Sequence, residues 1–161
     1  MVNIKINGIE YSVEEGTTIL EACRQNGIKI PTLCWLKDIN AIGACRICVV
    51  EMTGARSLVA SCVYPLSKFD EGKNIMTHSP AVLQSRKMLL LSDPTMDCLA
   101  CSRNGNCELQ ELCKELGVDD TTYFEGEKNE YDIDYSSKHM FRDNNKCIHC
   151  RRCIAACDKL Q

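Results

Sequence analysis

Cysteine spacing constrains this chain more than any other feature. Its 13 cysteines fall mostly into three sets. Cys34, Cys45, Cys48 and Cys62 read C-x10-C-x2-C-x13-C. Cys98, Cys101 and Cys107 read C-x2-C-x5-C within the stretch SDPTMDCLACSRNGNC. Cys147, Cys150, Cys153 and Cys157 read C-x2-C-x2-C-x3-C. Such a density means either a disulfide framework or thiolates on metal. The opening MVNIKING lacks the apolar run of a signal peptide. The longest aliphatic run, Met88 to Leu91, is too short to span a bilayer. An odd cysteine count also fits pairing poorly. The reading is therefore a cytoplasmic protein, without a membrane span, whose thiolates bind metal.

Charge and composition narrow the partners. The net charge is -3, and no basic stripe is interleaved with aromatics, which argues against nucleic acid. Aromatics make up only 6% of 161 residues, so the cores must be small.

The polypeptide pattern predicts an α+β fold. VNIKI and IEYSV flank Asn7-Gly8, a strong two-residue hairpin signal over residues 2–13. Thr18 and Glu21 form a capping box for a helix carrying Ile19, Leu20, Ala22 and Cys23, closed by Gly27. Strands are predicted at 46–52 and 58–63, with a weaker one at 74–77. Two strands, a helix and further strands is the order of a β-grasp sheet. Ser79-Pro80 then opens a helix to about residue 92. A second helix is predicted over 108–116, where Leu109, Leu112, Cys113 and Leu116 make a buried stripe, ended by Gly117. The resulting division is a β-grasp domain at 1–78, a helical three-cysteine module at 79–117, an acidic connector at 118–141 and a ferredoxin-type motif at 142–161.

Each cysteine set has its own chemistry. Three thiolates in a loop plus one from a later strand is how plant-type ferredoxins hold a [2Fe–2S] cluster, though there the first gap is x4 rather than x10. Gly43 and Ala44 suit a loop that wraps such a cluster and turns backbone N–H groups toward its sulfurs. The C-x2-C-x2-C-x3-C run is the bacterial [4Fe–4S] pattern, whose fourth cysteine serves a second cluster in two-cluster ferredoxins. Cys157 therefore either closes its own cluster or serves one whose other ligands lie elsewhere. Asp158 stands where such runs often carry proline. The 98–107 loop supplies only three ligands to a cubane that takes four. A zinc-binding adaptor without redox work is the alternative for all three sets.

Taken together, DCLACSRNGNCELQ at 97–110, RDNNKCIHCRRCIAACDKLQ at 142–161 and the Cys34–Cys62 set resemble one known arrangement. It is that of the N-terminal iron–sulfur part of [FeFe]-hydrogenase catalytic subunits. It is equally similar to the large iron–sulfur subunit of complex I-type NADH dehydrogenases and to NAD-linked formate dehydrogenases. The resemblance covers essentially all 161 residues. It implies one [2Fe–2S] and one or two [4Fe–4S] clusters, and a hetero-oligomeric setting. There, single electrons pass between a flavin-containing NAD(P)H dehydrogenase subunit and a second redox subunit, in a hydrogenase-like, electron-bifurcating or otherwise anaerobic complex. The relatives' middle loop reads H-x3-C-x2-C-x5-C, and its histidine completes the cluster. Pro94 occupies that position here and has no donor atom.

Several replacements are open. Asp93 offers a carboxylate oxygen, a harder donor than sulfur or imidazole. Cys113 is a thiol, but six residues of helix carry it about 9 Å from Cys107, and its stripe places it in a core. Asp97 reads as a loop hydrogen-bonder, and a water, a partner residue or a three-iron cluster remain alternatives. Cys23 reads as core, and His78, His139 and His149 as solvated positions. No Gly-rich dinucleotide fingerprint, P-loop or Ser/His/Asp pattern is present, so no active site of its own is visible. The functional expectation is an electron relay. It is either a stand-alone subunit or the front of a complete [FeFe]-hydrogenase or formate dehydrogenase subunit.

Overall fold

A computed structural model describes residues 1–92, 98–119 and 130–161. The chain begins with β1 (Val2–Ile6) and β2 (Ile9–Val13), paired antiparallel with Ile6 opposite Ile9. The two-residue turn is Asn7-Gly8, both at positive φ (51° and 86°), as a primed turn requires. Val2, Ile4 and Ile6 alternate into the core, the period of a half-buried strand.

Helix α1 (Ile19–Gln25) follows, and its cap is reciprocal. The Glu21 N–H donates to Thr18 Oγ1 (3.2 Å), and the Thr18 N–H donates to Glu21 Oε2 (3.2 Å). Ile19, Leu20, Ala22 and Cys23 are fully buried under the sheet. Burying a leucine-sized side chain stabilises by about 1.5–3 kcal/mol. Burial also raises the Cys23 thiol pKa to about 11, as suits a core cysteine.

Three more strands complete the sheet: β3 (Val49–Met52), β4 (Val59–Ala60) and β5 (Asn74–Met76). The order is β2-β1-β5-β3-β4, with β1 and β5 parallel and the other neighbours antiparallel. This mixed sheet over one helix is the expected α+β, β-grasp arrangement. Two strands are shorter than their sequence suggests. Arg46, expected to open a strand, adopts a left-handed conformation (φ 58°), so pairing begins only at Val49. Ser61, Cys62 and Val63 form a turn beyond β4 instead of extending it. Both departures hand backbone to the cysteine loops.

Asp70 pins the crossover to β5. Its carboxylate accepts from Tyr64 Oη (3.0 Å), the Ser67 N–H (3.0 Å), Ser67 Oγ (3.0 Å) and Lys73 Nζ (2.8 Å).

Helix α2 (Pro80–Leu91) is capped by Ser79, whose Oγ accepts from the Val82 N–H, with Pro80 in the first turn. Val82, Arg86 and Leu90 are its buried residues, at successive i, i+4 positions. Helix α3 (Glu108–Glu115) begins directly after Cys107. A fourth helix, α4 (Arg152–Leu160), was not anticipated from the sequence. It starts after Arg151, itself left-handed at φ 59°, and carries Cys153 and Cys157.

Two apolar clusters result. One lies between α1 and the sheet and includes Cys48 and Cys62. The second joins Leu33, Ile47, Leu90, Leu112, Cys113 and Val118, with Ile148 packed against them. Of the expected acidic connector, residues 130–141 are exposed and closed by a two-bond bridge between Asp134 and Arg142. No described helix is long and apolar enough to cross a membrane.

Candidate metal centres

The first cysteine set comes together in two pairs. Cys34 and Cys45 lie within side-chain hydrogen-bond reach, and so do Cys48 and Cys62. The pairs are neighbours, since Cys62 feels the charges of both Cys34 and Cys45. Cys34, Cys48 and Cys62 are buried and Cys45 is half-buried. Among the described residues, no three or more His, Cys, Asp or Glu side chains converge as a single ion needs. Two adjacent thiol pairs are instead the donor set of a two-iron group with two thiolates per iron.

The backbone around these sulfurs is built for anionic ligands. Burial raises the Cys34 pKa, and the backbone N–H groups of Cys45 and Ala44 oppose that rise by stabilising its thiolate. The hydrogen bond from Cys62 lowers Cys48 to about 6, against the effect of burial. Cys62 itself is held far above the ordinary thiol range, first by its bond to Cys48 and then by burial. Metal binding to such closely held thiols displaces their protons. Gly43 (φ 62°) makes the tight wrap possible, and a Cβ there would meet Val63 Cγ2 at 3.0 Å.

Left-handed non-glycine residues concentrate at the cysteine loops. Among the described residues these are Asn7, Asp38, Arg46, His149 and Arg151, and only Asn7 serves the hairpin. Each such residue costs on the order of 1 kcal/mol, so the surrounding structure must hold it for a purpose. In metal loops the purpose is to turn successive N–H groups inward.

The second set lies on a stapled loop. The Gly105 N–H donates to Gln110 Oε1 (2.8 Å), and Gln110 Nε2 donates to Asn104 Oδ1 (2.8 Å). The Arg103 N–H points at Cys101 Sγ (3.5 Å). Cys98, Cys101 and Cys107 are all half-buried. Asp93, Pro94 and Asp97 lie outside the described residues, so the structure does not place the expected fourth donor. Cys113 is buried in the second apolar cluster, as its helical stripe predicts, and it lines a cleft with Cys98 and Gly105.

The third set is the most open. Cys147, Cys153 and Cys157 are exposed and Cys150 is half-buried. His149 is exposed, as are His78 and His139, in line with their reading as solvated positions.

Side chains the sequence did not single out join these loops. Asn40, 3% exposed, donates through Nδ2 to the carbonyls of Cys34 (2.8 Å) and Cys150 (3.0 Å). Arg152 reaches the Trp35 carbonyl (3.1 Å) and Glu108 Oε2 (2.8 Å). Arg24 stacks over the Trp35 ring at 4.0 Å from its centroid. Arg86, 2% exposed, donates to the carbonyls of Ile47 (2.9 Å) and Val49 (2.8 Å), which flank Cys48. The one sequence signal for Arg86 was its place in the stripe between Val82 and Leu90.

The β-grasp sheet, with paired buried thiols beneath a wrapped loop, defines a ferredoxin-like iron–sulfur protein. The comparisons specify it further. Residues 1–80 match the family described as 2Fe-2S iron-sulfur cluster binding domain. Residues 88–122 match the NADH-ubiquinone oxidoreductase-G iron-sulfur binding region. Two iron–sulfur domain families thus match the chain in succession, and [2Fe–2S] and [4Fe–4S] binding are properties of those domains. It is 41% identical over 169 aligned residues to the NADP-reducing hydrogenase subunit HndD of Solidesulfovibrio fructosivorans, covering 100% of this chain and 28% of that protein. It is 35% identical to the NADH-ubiquinone oxidoreductase 75 kDa subunit of Reclinomonas americana, covering 96% of this chain and 22% of that one. Among solved structures it superposes on an NAD+-reducing [NiFe]-hydrogenase in the H2-reduced state. The TM-score is 0.85 with 30% identity, over 96% of this chain and 65% of that one. The chain thus spans less than a third of the length of these two curated relatives. The resemblance to hydrogenase and complex I-type subunits, drawn from three cysteine motifs, holds.

Proposed function

We propose that this chain is an electron-relay module. It would pass single electrons between a flavin-containing NAD(P)H dehydrogenase subunit and a second redox subunit of a hetero-oligomeric complex in the cytoplasm. When bound, iron–sulfur groups supply one-electron redox chemistry. The observation that carries the reading is the joint at Asn40. One buried amide ties the Cys34 loop to the Cys150 loop, which sets two cysteine sites at a fixed separation.

In this reading Cys34, Cys45, Cys48 and Cys62 hold the [2Fe–2S] cluster. Cys98, Cys101 and Cys107, with Asp93 as the fourth donor, hold one [4Fe–4S] cluster. Cys147, Cys150 and Cys153 hold the other, with Cys157 closing it or serving a further one. The chain's own residues exclude water from the first set, aim amides at its sulfurs and fix the loops relative to one another. The division at 1–78, 79–117, 118–141 and 142–161 gives one cysteine set to each folded part. The relatives' greater length favours a place within a longer hydrogenase-like protein or assembly over a free-standing carrier.

The test is anaerobic purification followed by iron and sulfide counts and EPR of the reduced form. About ten irons per chain are expected, from one two-iron and two four-iron groups. NAD(P)H should reduce them only when a flavin dehydrogenase is added. A colourless, zinc-loaded chain would overturn the proposal in favour of an adaptor.

A further inference from the structure

Arg152 occupies an unusual place. It follows Cys150 by two residues and immediately precedes Cys153 in the third set. Its NH2 group donates to the carbonyl of Trp35, the neighbour of Cys34 in the first set. Its NH1 group pairs with Glu108, the neighbour of Cys107 in the second set (2.8 Å). One guanidinium therefore touches all three cysteine loops. Its Nε is buried and finds no hydrogen-bond partner among the described residues. A buried N–H without an acceptor is costly, and native structures seldom leave one unexplained. Cys150 and Cys153 lie two and one residues from it in sequence, so a cluster held there would bring anionic sulfur close to this N–H.

We propose that Arg152 is a positioning residue that locks the three cysteine loops together and gives its Nε–H to a sulfur of the cluster held by the 147–153 cysteines, raising that cluster's reduction potential. The inference rests on the relay reading, because it needs the cluster as acceptor. The chemistry is direct. A reduced cluster carries one more negative charge than an oxidised one, so a nearby cation and an N–H···S bond favour reduction. Lysine keeps the charge but loses the planar fork that reaches Trp35 and Glu108 at once. Glutamine keeps polarity but loses the charge.

The experiment compares the wild-type chain with Arg152→Lys and Arg152→Gln by iron count and EPR-monitored redox titration. The 147–153 cluster is expected to titrate at lower potential in Arg152→Gln, with Arg152→Lys between it and the wild type. Iron lost selectively from that cluster in Arg152→Gln and retained in Arg152→Lys would equally support the placement. Full iron with unchanged potentials in Arg152→Gln overturns it. Should both variants fail to load, the wild type decides alone. Pulsed EPR on a chain grown with arginine carrying 15N only at Nε should show a 15N coupling to the reduced cluster. No coupling overturns the inference. A wild-type chain with no reducible cluster overturns the relay reading and this one together. A wild type with intact, reducible clusters and no Arg152 effect overturns this inference alone.

Discussion

Arg86→Met tests whether a buried cation holds the [2Fe–2S] loop in place. Arg86 is 2% exposed and donates to the Ile47 and Val49 carbonyls on either side of Cys48. Among the described residues no carboxylate forms an ion pair with it. Burial pulls the guanidinium pKa down, and the charges of Cys48 and Glu115 push it back up. Methionine fills similar volume without polar atoms, so packing is largely kept. Two carbonyls then lose a charged donor, each loss worth about 1.5–3 kcal/mol. Removing the cation returns part of that, because burying it cost several kcal/mol. The net destabilisation should be about 2–4 kcal/mol, a large part of a total that is typically about 5–15 kcal/mol. Denaturant unfolding of the anaerobically loaded chain measures it. The same variant should lower the potential of the [2Fe–2S] cluster, since a positive charge beside Cys48 is gone. A variant within about 1 kcal/mol of wild type, with an unshifted potential, would refute the reasoning that this charge holds the loop and answers the anion beside it.

Other perturbations separate the parts. Burial alone would raise the Asp70 carboxyl, but bonds from Lys73, Ser67 and Tyr64 outweigh it and hold the pKa below the usual carboxylate range. With its folded pKa below its unfolded one, Asp70 adds stability in full above about pH 4 and loses it as pH falls through the folded value. Asp70→Asn should therefore cost stability at pH 7, and that cost should shrink as pH falls below about 4, read from melting temperatures across that range. Gly43→Ala puts a Cβ at 3.0 Å from Val63 and at positive φ, so it should destabilise by about 1–2 kcal/mol and slow cluster loading, followed by visible absorption. Pro94→His restores the donor type of the relatives' middle loop. Imidazole in place of an anionic oxygen should raise that cluster's potential, and an equal or lower potential counts against Asp93 as ligand.

Legibility in the sequence followed the strength of local chemistry. The hairpin at Asn7-Gly8, the Thr18–Glu21 cap and the Ser79-Pro80 helix start were readable because each rests on contacts within four residues. The cysteine sets were readable as chemistry because thiolate spacing follows from ligand geometry. The strands beginning at 46 and ending at 63 were overextended, because β propensity cannot register the left-handed turn at Arg46. Helix α4 was hidden inside a motif read for its cysteines rather than its backbone. Asn40, Arg86 and Arg152 were illegible as joints, since each acts on carbonyls 6 to 117 residues away.

Those joints share a logic that bears on why the loops are arranged this way. Asn40, Arg86 and Arg152 all donate to backbone carbonyls at or beside a cysteine, and none uses a cysteine side chain to do so. Sulfur ligands must be left free for iron, so cohesion between loops has to come from groups that do not compete for it. Carbonyl oxygens meet that need, because a loop wound with its N–H groups toward the sulfurs leaves its carbonyls facing outward. The same winding that prepares each site thus creates the acceptors that bind one site to the next. The second apolar cluster adds to this from below, where Ile47, Leu112 and Ile148 bring one residue from the neighbourhood of each cysteine set. The spacing of the cysteine sites is then set by backbone geometry on a shared core, and it should survive changes at exposed positions such as Leu99 or Ile154 far better than changes at Asn40, Arg86 or Arg152.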